Sequence, residues 1–424
     1  MLFAHKMGLE LISGQAKFWG RFRTILLALL GACAIEGVAE AQNLSATAGT
    51  LAKGSDQEVS VTFSAPVDPI SATDLANYSV NSGSISEIRF VPLANASILT
   101  VSGLTISNSY TLTVHDVASA DTSVQPLTST NLSFTARSMT WAGVGGNETG
   151  IPQDVVAVGT NAFSVVSGAL VFFSSQAGFS YEEATFAYEQ VSGNFDRAVQ
   201  VEYQDAGSEW SRAGVMVREA VDENRPRQDN PDDLSQAFSR YQAVQVNPAL
   251  QYDGTPANNS YEINRRLVTG GETEETDVSN SVPPAYPNVW VRLARSGNTF
   301  RMYRSDTGTN WIKLGETVFD PPFATNAFVG IHFSPELANI PPDNQSYHQK
   351  LARFSHYGDP HAPVENVTPT IKIETTALGA QITFAGTLQS ASTVLGPWTT
   401  VVTGSPYQIP NLAQGAKFFR ATSP

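Results

Sequence analysis

From Trp290 onward the side chains alternate: Trp290, Arg292 and Ala294 fall on one side of the chain, Val291, Leu293 and Arg295 on the other. A period of two belongs to a strand with two different faces. Ser296-Gly297-Asn298 breaks this run, and a second occupies residues 299–304; Asp306-Thr307-Gly308-Thr309 breaks that, and a third covers 311–314. Gly, Asn and Asp at both breaks are turn residues, so the pattern predicts a β-meander.

The rest of the chain reads the same way. Residues 58–63, 85–90, 98–101 and 110–114 are short alternating runs between Gly, Asn, Pro and Ser clusters, which predicts a first β-sandwich over 42–137. Over 138–360, strands are expected at 162–166, 169–173, 184–188, 198–203, 213–218, 241–246, 261–265, 328–333 and 351–354, besides the meander. Ten or more strands with one helix at most is the count of a jelly roll. Residues 222–235 are polar and broken by proline, an inserted loop, and the stretch from Trp141 to Gly146 reads as a glycine-rich turn without the spacing of a phosphate-binding loop. A linker over 361–367 leads to a small module over 368–424 with five short strands. The predicted fold class is all-β, a large sandwich flanked by two smaller ones.

The ends and the charge bear on location and partners. Lys6, Lys17, Arg21 and Arg23 precede an apolar run over 25–35 that is too short for a bilayer anchor, so residues 1–41 read as a signal peptide cleaved before Gln42. The competing reading is a lipoprotein box, Leu30-Gly31-Ala32-Cys33, which would leave Cys33 lipidated. Both predict export, and no transmembrane helix is expected in the mature chain. Cys33 is the single cysteine, so thiol chemistry and disulfides are excluded once the leader is removed. A net charge of −14 argues against nucleic acid and anionic membranes, which call for clustered Lys and Arg.

Three phrases carry a family resemblance. FAYEQVSGNFDRAVQVEYQDAGSEWSRAGVMVREA, WVRLARSGNTFRMYRSDTGTNWIKLG and FVGIHFS occur in that order, and together they resemble a bacterial domain of the concanavalin A-like lectin/glucanase superfamily. Trp210, Arg212, Ala213, Gly214, Met216 and Arg218 match one family phrase; Trp290, Arg292, Leu293, Arg295, Gly297 and Trp311 match another. Gly178 to Glu183 stands where typical members carry Trp and paired Asp, so a polar site at that edge does not carry over. The segment before it resembles bacterial immunoglobulin-like modules, and the last resembles small modules in the style of fibronectin type III. Such flanking modules usually serve as spacers or adhesion units.

Candidate chemistry is sparse. Glycoside hydrolysis needs two carboxylates about 5 to 9 Å apart, and the E-x-D-x-x-E strand phrase of jelly-roll glucanases is absent; Glu182 and Glu183 are adjacent, and Glu272, Glu274 and Glu275 lie in a Gly/Thr-rich stretch read as loop. Asp229, Asp232 and Asp233 in the inserted loop are candidate ligands for Ca2+. Trp210, Trp290 and Trp311 read as core. Residues 305–311 resemble the Asp-box hairpin of sialidases, a structural turn in which Asp caps amides, Gly takes positive φ and Trp packs beneath. Tyr241, Tyr252, Tyr261 and Tyr286, with Arg240 and Asn247, flank the inserted loops and are the candidate sugar-binding residues, since sugar rings stack on flat aromatics while polar neighbours bond hydroxyls. The expected function is non-catalytic binding of polysaccharide or a cell-surface glycan. The alternatives are a glycoside hydrolase with an unrecognised carboxylate pair and a structural, adhesive protein of the cell envelope.

Overall fold

The structure is a computed structural model, and it describes residues 42–170, 181–205, 207–228, 230, 233–277, 283–337, 348–360 and parts of 370–422. The expected leader with Cys33 and the linker over 361–367 lie outside the described residues. The chain is all-β. Among the described residues no helix is long and apolar enough to cross a membrane.

Two large sheets pack face to face. One runs through seven strands in the order Asp154–Val158, Ala162–Ser167, Lys350–Gly358, Phe195–Gln204, Val289–Ser296, Thr299–Ser305 and Ile312–Val318. The last three are the expected meander. Val289, Val291 and Leu293 point inward and are buried, while Trp290, Arg292 and Ala294 point outward. Opposite lies the second sheet, whose strands Tyr261–Arg266, Tyr241–Val246, Arg212–Arg218, Asn326–Ser334 and Ala184–Ser192 are neighbours in that order. Val215, Val244, Ile263 and Ile331 from this sheet share one core with Val199, Val291, Phe300 and Phe354 from the other.

The second sheet does not stop at residue 138. Thr140–Val144 pairs antiparallel with the Ala184–Ser192 strand and, on its other side, meets Ala46–Lys53 of the first sandwich through the Thr140–Ala52 pair. Ala52 N–H donates to the Met139 carbonyl at 2.7 Å, and Thr140 Oγ1 donates to the Ala52 carbonyl at 2.7 Å. Eleven strands therefore form one sheet from Glu274–Asp277 to Ser84–Val91. Of the glycines of 141–146, expected to form a turn, Gly143 lies in the Thr140–Val144 strand and Gly145 just beyond it, against the segment that leads into Ala184–Ser192. A Cβ on Gly145 would stand 1.9 Å from the Glu182 carbonyl oxygen, so only glycine lets the two segments approach.

Two further features weld the sandwiches. Val91, Ala96 and Ile98 of the first pack with Val156, Val166 and Leu351 of the second in a buried cluster of their own. Beside it, Arg89 pairs with Glu58 at 2.9 Å within its own sandwich and with Asp154 of the other at 2.7 Å. Glu58 also accepts the Trp141 indole N–H at 2.8 Å.

In the C-terminal segment, Thr370–Thr376, Gly379–Ala385, Thr387–Ala391, Thr399–Val402 and Phe418–Thr422 occupy the five expected positions, joined by Tyr407–Gln408. The strand expected at 169–173 does not form at Ala169 and Leu170, and its remainder lies outside the described residues.

Trp290 and Trp311, expected in the core, sit half-buried on the outer face with their rings edge to face at 6.5 Å. The hairpin at 305–311 is structural, with its parts reassigned. Ser305 Oγ, not Asp306, accepts the amides of Thr307 and Gly308 at 3.1 and 3.0 Å. Gly308 has φ +74°, and the ring above it is that of Trp290, 2.8 Å from where a Cβ would be.

Candidate functional site

Alternation along the second large sheet decides which side chains leave the core. With Val215, Val244, Ile263 and Ile331 facing inward, the neighbouring positions Arg212, Gly214, Gln245, Glu262, Asn264, His332 and Ser334 fall on the opposite face. Cross-strand register lines up His332, Gly214, Gln245 and Glu262 in one row over four strands, with Ser334 opposite Arg212 beside it. Gly214 is required in that row, because a Cβ there would stand 2.2 Å from the Val244 carbonyl oxygen. The face is polar, yet Arg212, Gln245, Glu262, Asn264, His332 and Ser334 are all buried.

Arg212 is the centre of this cluster. Its Nε donates to Glu262 Oε2 at 2.6 Å, one Nη to the Trp210 carbonyl at 2.7 Å and to Glu336, and the other Nη to Glu275 Oε2 at 3.1 Å. Burial works against the guanidinium charge, but the carboxylates of Glu336, Glu262 and Glu275 outweigh it and hold the pKa above the ordinary arginine value. Three carboxylates on one buried guanidinium leave the cluster rich in acceptors. Gln245 Nε2 adds a bond to Glu262 at 3.2 Å and another to Asn264 Oδ1.

A second cluster lies along the same face. Arg218 binds Glu182 and, at 2.6 Å, Asp222; Arg266 reaches the other oxygen of Glu182 at 2.5 Å. The ring of Tyr241 lies between these guanidinium groups, 5.3 Å from Arg218 and 5.4 Å from Arg266. Glu183 turns away from its neighbour and accepts the amides of Glu148 and Leu170 at 2.5 and 2.6 Å.

His332 stands between the clusters. Burial, with Arg212 and Arg218 adding to it, pushes its pKa down to about 3, so the imidazole is neutral at physiological pH.

Four buried polar atoms of this face, Gln245 Oε1, Glu262 Oε1, Asn264 Nδ2 and Ser334 Oγ, have no hydrogen-bond partner among the described residues. Buried polar atoms are paired in the great majority of cases, so four on one face of adjacent strands leave hydrogen-bonding capacity for water or another polar group. The set offers three acceptors and a donor, with the Ser hydroxyl able to serve either way. No group of three His, Cys, Asp or Glu side chains among the described residues is arranged to hold a metal ion.

The residues singled out in the sequence take other places. Tyr241 and Tyr261 are fully buried and present no ring face to a ligand. Tyr286 turns its hydroxyl inward, accepting from Gln204 at 2.6 Å and donating to the Asn247 carbonyl at 2.9 Å. Asn247 is buried, bonded to the Ser211 carbonyl at 3.2 Å and to the Ser260 hydroxyl at 2.6 Å. Arg240 forks onto Glu219 and caps the carbonyls of Pro321 and Pro322. Tyr252 is half-buried, its amide bonded to the Gly207 carbonyl at 2.9 Å. The structure brings Tyr286 and Asn247 together but not the six as a platform. Asp229 and Asp232 lie outside the described residues, and Asp233 accepts the amide and hydroxyl of Ser235 at 3.0 and 2.6 Å, closing a turn.

The sequence reading did not single out Gln245, Glu262, Asn264, Ser334 or Glu336. The available signal was polar residues alternating with apolar ones inside two β-rich runs, YQAVQV and YEINRR. Glu275, read as loop, lies on the edge strand Glu274–Asp277 that carries it to Arg212.

No family model and no curated protein matches the chain. Among solved structures it is similar to a functionally unknown protein from Saccharomyces cerevisiae, with 14% identity and a TM-score of 0.34 over 52% of this chain and 94% of that one. It is also similar to native alpha-2-macroglobulin from Escherichia coli (domains MG0-NIE-MG1), with 12% identity and a TM-score of 0.18 over 64% and 97%. A third likeness is to surface layer protein SbsC, domains 1-6, with 10% identity and a TM-score of 0.21 over 86% and 59%. Likeness at these scores carries no functional argument.

Proposed function

We propose that this chain is an exported, non-catalytic binding protein for carbohydrate or a cell-surface polymer, with the polar face around Arg212 as its site. One observation carries the reading: Gln245 Oε1, Glu262 Oε1, Asn264 Nδ2 and Ser334 Oγ are buried together without partners among the described residues, beside an acceptor-rich cluster. Sugar hydroxyls, each donor and acceptor, complement such a set. The resemblance of the three phrases between Phe186 and Ser334 to concanavalin A-like domains and the leader-like composition of residues 1–41 support it from the sequence.

The hydrolase alternative is weaker on physical grounds. A general acid must hold a proton until the leaving group takes it. Glu262, Glu275 and Glu336 each give an oxygen to Arg212, and both oxygens of Glu182 go to Arg218 and Arg266, so these carboxylates are engaged as acceptors of buried guanidinium groups. The test is a broad glycan array with and without calcium, run beside chromogenic polysaccharides. Selective binding without turnover is the expected result, and turnover abolished by Glu262→Gln would transfer the site to the hydrolase reading.

A further inference from the structure

A cavity of about 450 Å3 opens at the seam between the sandwiches, lined by Ile106, Arg137 and Met139 on one side and by Glu189, Arg197 and Tyr357 on the other. Its two arginines differ. Arg197 Nε donates to Glu189 Oε1 at 2.6 Å and Nη1 to the Asp196 carbonyl at 2.8 Å, and the Tyr357 hydroxyl donates to the same Glu189 oxygen at 3.0 Å. Arg137 has its backbone fixed, its N–H donating to Gln57 Oε1 at 2.9 Å and its carbonyl accepting from Gln57 Nε2 at 3.0 Å. Its guanidinium, however, has no hydrogen bond or ion pair among the described residues. Burial draws the Arg137 pKa below the ordinary arginine value, with Glu189 acting in the opposite direction.

A cation partly withdrawn from water with no hydrogen-bonded partner is costly, and a guanidinium presents a planar fork of donors that matches a carboxylate. The volume lies in the range of small-molecule sites, roughly 300–1,000 Å3. Asn161 and Ser138 add polar groups to a wall that Ile106 and Met139 keep partly apolar. We propose that the seam cavity binds a carboxylate-bearing ligand of sugar size, a sugar acid, with the fork of Arg137 on the carboxylate. This site is separate from the polar face around Arg212 and stands or fails independently of it.

The test is calorimetric titration of the full chain with sodium glucuronate, neutral glucose and sodium sulfate. Glucuronate is expected to bind saturably and glucose not at all. Arg137→Gln is expected to weaken glucuronate at least about tenfold, as for loss of a charged hydrogen-bond pair. Its ligand-free melting temperature should stay at the parent value, since no side-chain bond of Arg137 is lost. Arg137→Lys, which keeps the charge without the fork, should fall between the two. No glucuronate binding, equal binding of glucose or sulfate, or undiminished binding by Arg137→Gln would each overturn the proposal.

Discussion

Arg212 and Glu262 meet at 2.6 Å inside the larger sandwich, both with nearly fully buried side chains. Removing one partner of such a pair strands the other charge in a poor solvent. Arg212→Ala, which strands three carboxylates, is expected to cost about 3–5 kcal/mol in urea unfolding. Arg301→Ala, which breaks the exposed pair with Glu316 at 2.9 Å, should cost less than about 1 kcal/mol. Equal costs would remove Arg212 from the centre of the cluster.

His332 gives the fold an acid sensitivity. Its pKa is near 3 in the folded chain against 6.5 ordinarily, so between those values the unfolded chain binds the extra proton. Stability should fall as pH drops from about 6 to about 4, by up to roughly 1.4 kcal/mol per unit from this residue. His332→Gln should flatten that part of the profile, measured as the difference between the two proteins' denaturation midpoints at each pH. Parallel profiles would mean that the imidazole titrates alike in both states.

Gly308 combines positive φ with the Trp290 ring 2.8 Å from a Cβ position, whereas Gly193 has φ +76° and open space around it. Gly193→Ala should therefore cost about 1 kcal/mol, the backbone penalty alone. Gly308→Ala adds a clash and should cost about 2 kcal/mol or more, with Gly308→Val worse. Thermal melts of the three variants separate the two effects; matching losses at both glycines would mean that the Trp290 contact adds nothing.

Arg89 and Asp154, 2.7 Å apart, belong to different sandwiches. A double-mutant cycle on Arg89→Ala and Asp154→Ala should give a coupling of about 0.5–3 kcal/mol. Calorimetry should show the first and larger sandwiches unfolding in one transition. Two well-separated transitions with no coupling would describe loosely tethered units instead.

Architecture was legible wherever one face of a strand is apolar and the other is not. Val289, Val291 and Leu293 announced their strand, and the Gly297 and Gly308 turns announced its neighbours. Thr140–Val144 was obscured because Gly143, Gly145 and Gly146 read together as a turn, whereas Gly143 lies in the strand and Gly145 answers to the neighbouring Glu182 carbonyl. The candidate site was nearly invisible for a related reason. Arg212 and Glu262 are fifty positions apart and meet only through strand pairing, so no spacing motif links them. Tyr241 looked available from its place beside a loop, but Arg218 and Arg266 on the adjacent strands cover both sides of its ring.

Ser334 Oγ is buried and makes no bond among the described residues, so Ser334→Ala is expected to remove a candidate ligand contact while leaving stability nearly unchanged. The most direct measurement is the affinity of the chain and of this variant for whichever glycan the array selects. Selective binding by the parent is expected, with a loss of about threefold to tenfold in Ser334→Ala at an unchanged melting temperature. A silent array, or binding that Ser334→Ala leaves intact, would contradict the assignment of the polar face as the site.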